Sequence, residues 1–234
     1  MCAHRVLFFN SPVIEAKTDV FEIRNYYPRI GIASMASYLL QNGIDVKIVD
    51  PDACRLSLDQ TKKVIEKASP DVVGIPAYTE EINDAAKVAK AAKEVDPTII
   101  TVVGGPHPSA DPVNCLQEFN SFDIAVHGEG EQTILELAQG KPLKEIFGIA
   151  FRKSDRIKLN EPRSLIRSLD ALPSPAWQLY NLDLYRGSCL SSGYKKSREK
   201  LLEIPVEGAR GCPYSCIFCF QVVGRTVRFK SPSK

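Results

Sequence analysis

Five short runs of apolar and β-branched residues punctuate the first 126 positions of the chain, at 5–9, 45–49, 71–75, 99–103 and 122–126. Short, mainly apolar runs of this length suit buried strands. Between them, apolar positions recur at helical spacing over 30–41, 58–68, 80–95, 112–119 and 131–139. Gly43 stands where the first helix would need a left-handed cap, and Pro70 and Pro97 each precede a strand where a helix cannot continue.

Strict alternation of strand and helix implies right-handed crossovers and a parallel sheet with helices on both faces. Five such units predict an α/β, flavodoxin-like (Rossmann-like) doubly wound domain over residues 1–140, with ligands at the carboxyl ends of the strands. Residues 148–160 alternate around Ser154 and Asp155 and predict a β-hairpin. A proline-punctuated stretch, 168–176, and a polar stretch, 185–200, then read as connector and loop, so 141–200 forms a hairpin and linker. Residues 201–207 predict a strand leading into a cysteine-rich segment, and 201–234 is expected to be the start of a further domain. The residues beyond Cys219 are too few for a second core, so the chain is expected to stop inside that domain.

Composition is that of ordinary globular protein, with 44% hydrophobic and 25% charged residues in 234. Thirty Lys and Arg against 28 Asp and Glu leave a formal charge of +2, which gives no general attraction to nucleic acid. The opening MCAHRVLFFN has neither the length nor the cleavage site of a signal peptide, and no run reaches the ~20 apolar residues of a membrane span. A cytoplasmic protein is expected. Of its seven cysteines, Cys2, Cys54, Cys115 and Cys189 are isolated and read as small apolar fillers or surface thiols.

The other three, Cys212, Cys216 and Cys219, stand at C-x3-C-x2-C spacing in Gly-Cys-Pro-Tyr-Ser-Cys-Ile-Phe-Cys-Phe. A structural zinc site wants four protein ligands, and a ferredoxin cluster also takes four cysteines. A 4Fe-4S cluster held by three keeps one iron open to a small molecule. Zinc with a distant fourth ligand is the other reading. The spacing and the aromatic Phe218 before the third cysteine resemble the radical S-adenosylmethionine superfamily. The resemblance implies that Cys212, Cys216 and Cys219 hold the cluster, whose open iron chelates S-adenosylmethionine for reductive cleavage to a 5'-deoxyadenosyl radical. Phe218 then stands against the adenine, or else in the core. The flanks 207–211 and 224–232 resemble that family's cluster loop and its exit, and the cations Arg225, Arg228 and Lys230 read as a solvated face.

In the first domain, Gly104-Gly105-Pro106-His107-Pro108 follows the fourth strand and His127-Gly128-Glu129-Gly130-Glu131 follows the fifth, where backbone amides open a helix. Two adjacent glycines let a ligand lie against the backbone, although a tight turn alone would also explain them. With 28–38 and Pro76-Ala77-Tyr78-Thr79, these motifs resemble the cobalamin-binding domain that precedes many radical S-adenosylmethionine barrels. That resemblance implies that the cobalamin tail enters near Gly104, Gly105 and Gly128, with Tyr78 and Thr79 beside the corrin. The D-x-H-x-x-G motif of the cobalt-ligating type is missing, since 19–24 reads DVFEIR, and His107 and His127 read as loop histidines held by hydrogen bonds, with cobalt ligation by one of them as the other reading.

The family resemblance implies radical methylation or rearrangement of an unactivated carbon on a small-molecule, lipid or tetrapyrrole-type substrate. It also implies a reductant such as flavodoxin or ferredoxin. The fragment is expected to be inactive alone. A stand-alone cobalamin carrier or sensor is the alternative.

Overall fold

The structure, a computed structural model, describes residues 5–10, 27–154, 156–186 and 202–232. In chain order its elements are β1 (Val6–Phe9), α1 (Ile30–Gln41), β2 (Val46–Val49), α2 (Leu58–Ala68), β3 (Val72–Pro76) and α3 (Ile82–Val95). There follow β4 (Ile100–Gly104), α4 (Pro106–Ala110), α5 (Pro112–Glu118), β5 (Ile124–Val126), α6 (Glu131–Ala138), β6 (Ile149–Lys153) and β7 (Arg156–Leu159). One sheet runs β2-β1-β3-β4-β5-β6-β7. Its first five strands are parallel, in the doubly wound order expected.

Alternation along each strand divides the core. Leu7, Phe9, Val73, Ile75 and Val103 face α2, α3 and α5, while Val6, Phe8, Val72, Val102 and Val126 face α1 and α6. Local signals set the helix ends: Ser57 and Gln60 form a capping box at α2, and the Asp111 side chain accepts from the Asn114 amide at α5, with Pro112 next to it. α4 takes the expected Gly-Gly-Pro-His-Pro loop into one helical turn, because Pro106 at its start is already set for a helix.

The expected hairpin forms and is continuous with the sheet. β6 runs antiparallel to β5, pairing Ile149 with Val126, and so covers what would be an open edge. The strand expected at 201–207 does not form among the described residues: 202–207 runs without sheet pairing, and Pro205 in its middle has no N–H for a ladder. A two-residue ladder takes its place slightly later, between β8 (Ala209–Arg210) and β9 (Arg228–Phe229).

Tyr185, expected in a polar loop, is buried; the rest of that loop, 187–200, lies outside the described residues, as do Cys2 and Cys189. The connector is strapped to the sheet by polar bonds. Tyr185 donates to Asp50 Oδ2 at 2.7 Å and Tyr180 donates to Asn10 Oδ1 at 2.9 Å, while Asn10 Nδ2 donates to Asp50 Oδ2 at 2.7 Å. Burial, with the Asp50 charge, pushes both phenols above their ordinary range, so they act as donors. Tyr185→Phe strips a donor from a buried carboxylate and is expected to lower stability by about 1–3 kcal/mol. Urea unfolding measures it, and an unmoved midpoint would deny the strap its role.

Candidate cofactor cavity and cysteine loop

At the carboxyl ends of the parallel strands, on the side of α1 and α6, lies a cavity of about 320 Å³. Phe8, Gly74, Val102 and Gly104 form its sheet wall, Ile32 and Met35 line it from α1, and Gly128, Gly130 and Ile134 line it from the β5–α6 turn and α6. The glycines there have different reasons. A Cβ at Gly104 would meet nothing closer than the Val126 Cβ at 4.0 Å, and one at Gly128 would meet nothing within 4 Å, so both open onto free space, although at φ +82 the turn itself also favours glycine at 128. Gly105 has φ +102, and a Cβ there would stand 3.0 Å from the Ala77 carbonyl oxygen; the fold itself requires that glycine. At Gly74 a Cβ would sit 2.6 Å from the Phe8 ring, so this glycine is what lets Phe8 lie across the sheet.

The mouth is polar. Tyr78, 40% exposed, lies under the Arg29 guanidinium at 5.3 Å from the ring centroid, and Arg29 is held by both oxygens of Glu81. Thr79 stands apart from the lining, with its hydroxyl 3.3 Å from His107 Nδ1. The Gly128 amide donates to Ser109 Oγ at 3.2 Å. His127 has an unbonded buried Nε2, and burial lowers its pKa.

Pro205, Glu207, Arg210 and Val223 close another side of the same cavity, so the segment carrying the cysteines forms one of its walls. Between the strands of the β8–β9 ladder runs the loop with Cys212, half-buried, and Cys216 and Cys219, both exposed. Gly211, φ +92, lies so near the Thr226 carbonyl that a Cβ would come within 2.2 Å, which makes the base of the loop tight. Among the described residues no three His, Cys, Asp or Glu side chains converge on one point. Phe218 is 89% exposed and is therefore no part of the core. Cys115, by contrast, is buried, and burial pushes its thiol up to about 11; Cys54 is exposed.

The largest departure from the sequence reading is a buried ion network at the cavity wall. Arg228, expected on a solvated face, donates from Nη1 to both Glu129 oxygens at 2.9 and 3.0 Å, and Arg210 donates to Glu129 at 3.2 Å, Glu131 at 2.6 Å and Glu207 at 2.9 Å. Burial works against the charge of Arg210, but the bonds to Glu131 and Glu207 outweigh it and its pKa is raised.

A family profile described as the B12 binding domain matches residues 16–138. The chain belongs to the B12-binding family. Its B12-binding domain therefore contains every strand of the parallel sheet but β1, together with the Gly104 and Gly128 turns. An uncharacterised methyltransferase of Pyrococcus horikoshii is 35% identical over 196 residues, covering 82% of this chain and 40% of that protein. The anaerobic magnesium-protoporphyrin IX monomethyl ester cyclase of Rubrivivax gelatinosus is 34% identical over 223 residues, covering 91% and 38%. The cobalamin-dependent S-adenosylmethionine radical enzyme OxsB, solved with aqua-cobalamin and S-adenosylmethionine bound, shares the fold at TM-score 0.74 and 20% identity over 97% of this chain and 30% of its own. The chain spans less than half the length of these relatives.

Of the residues singled out from sequence, Tyr78, Gly104, Gly105 and Gly128 gather around the one cavity. Phe8 and Gly74 were missed, because strand interiors read as core, while Met35 and Gly130 lay inside the 28–38 and 127–131 motifs without being singled out. Glu129, Glu131 and Arg210 were missed as side chains, although acids flanking Gly130 and an arginine before the cysteine motif were a visible pairing of charge. Among the described residues no helix is long and apolar enough to cross a membrane.

Proposed function

We propose that this chain is the N-terminal part of a cobalamin-dependent radical S-adenosylmethionine enzyme. Its cavity over Gly104 and Gly128 would seat the cobalamin tail, and Cys212, Cys216 and Cys219 would hold a 4Fe-4S cluster. The observation that carries this reading is the shared wall: the segment bearing the three cysteines lines the same cavity as the glycine turns of the B12-binding domain.

The residues present fit both groups. Gly104 and Gly128 leave space that a Cβ would fill, and Cys212, Cys216 and Cys219 offer three thiols from one loop, a donor set that suits a cluster with an open iron. When bound, the cluster and cobalamin supply, respectively, an electron for S-adenosylmethionine cleavage and a transferable methyl group, chemistry that belongs to the cofactors. The chain's own part is placement. Phe8, Met35 and Ile134 exclude water from the tail slot, and Tyr78, held by Arg29, presents a ring face at the mouth. The substrate is proposed to be a small molecule of lipid or tetrapyrrole type, methylated or rearranged at an unactivated carbon. We place this in the cytoplasm, with a flavodoxin or ferredoxin as reductant.

The open placement of Cys216 and Cys219 favours one second reading, a cobalamin carrier without a cluster. Anaerobic reconstitution with iron, sulfide and hydroxocobalamin separates the two. About four irons with one cobalt per chain after desalting is the expected result. Cobalt alone would favour the carrier, and absence of both metals would overturn the proposal.

A further inference from the structure

We infer that Glu129 is a positioning residue that fixes the cysteine loop against the wall of the cavity, acting through Arg210 and Arg228. In the β8–β9 ladder Arg210 and Arg228 are direct cross-strand partners. Like charges placed opposite one another disfavour pairing, and two unaided guanidiniums at the base of a loop would push it open. Here both turn onto Glu129. The four side chains of Glu129, Glu131, Arg210 and Arg228 are only 3, 4, 7 and 8% exposed, so their charges are compensated by one another and not by water.

Glu129 also reaches beyond the arginines. Its Oε2 accepts from the Ile166 amide at 2.7 Å, while Arg228 donates to the Ile166 carbonyl at 2.8 Å and to the Val223 carbonyl at 2.9 Å. One carboxylate thus joins the turn after β5, the connector and both sides of the cysteine loop. Its neighbours Gly128 and Gly130 line the cavity, as do Arg210 and Val223, so a molecule seated there touches both parties to the contact. Loop docking and occupancy of the cavity are then coupled, and each favours the other. The positioning role stands on the ion network alone; only its coupling to cobalamin rests on the function proposed above.

Hydrogen–deuterium exchange of residues 202–232, with and without hydroxocobalamin, tests both parts on the full chain. In Glu129→Gln the loop segment is expected to exchange about a hundredfold faster or more, while peptides from β1 to β5 keep their protection. Arg228→Gln, on β9 and so outside the seven-stranded sheet, gives the same result should Glu129→Gln fail to fold. Arg228→Lys, which keeps the charge, is expected to restore part of the protection, as a packing role would not. Hydroxocobalamin is expected to slow exchange in the wild-type loop and to bind about tenfold more weakly to Arg228→Gln. Unchanged loop exchange in both neutralising variants, or equal loss in Arg228→Lys and Arg228→Gln, would overturn the positioning role. Loop protection that depends on Glu129 in a protein that binds no cobalamin would support that role while removing the proposed function.

Discussion

Replacing Cys212, Cys216 or Cys219 singly by Ala is expected to bring the iron of the reconstituted protein from about four per chain to near zero. Two thiolates are not expected to retain a cluster that three hold. The loss should be confined to the loop, because the three cysteines lie outside both core layers and the loop is closed at its own base by β8 and β9. Far-ultraviolet circular dichroism and the unfolding midpoint should therefore stay at wild-type values while iron and sulfide disappear. Iron content unchanged in all three variants would remove these cysteines as ligands.

Gly104→Val is expected to lower hydroxocobalamin affinity at least about tenfold, since overfilling a packed site typically costs about 1–3 kcal/mol and each 1.4 kcal/mol is a factor of ten. The structure makes this a clean substitution. Gly104 lies outside the positive-φ region, and a Cβ there meets nothing closer than 4.0 Å, so the backbone accepts a side chain that begins in the space a ligand would use. Gly105→Val is the contrasting control: at φ +102 and 3.0 Å from the Ala77 carbonyl it should damage stability itself. Equal affinity in Gly104→Val and wild type, by titration of the cobalamin absorbance, would show that cobalamin does not use this cavity.

The parallel sheet was legible because its signals are local. Runs such as Val72 to Ile75 are apolar throughout, and α1 and α2 occupy the predicted residues because their apolar spacing and the caps at Ser57 and Gly43 lie within the segments themselves. Gly104 and Gly128 were legible as cavity-lining positions for a similar reason: both stand at the carboxyl ends of buried strands, where a doubly wound sheet leaves its crevice. The fate of 201–207 was not, because a strand exists only where a neighbour supplies its ladder, and Pro205 with no adjacent strand leaves that stretch unpaired.

By itself, then, the sequence determined the α/β alternation, the ends of the helices and the three thiols at fixed spacing, all of which depend on residues near one another in the chain. Tertiary structure alone decided that Arg228 is buried and not solvated, that the approach of Ala77 requires glycine at 105, and that Glu129 meets arginines 81 and 99 positions away. Charge counted along a chain carries no information about which opposite charge will be folded against it. Only the closed fold brings the Glu129 carboxylate to both guanidiniums and gives the cysteine loop its place beside the cavity.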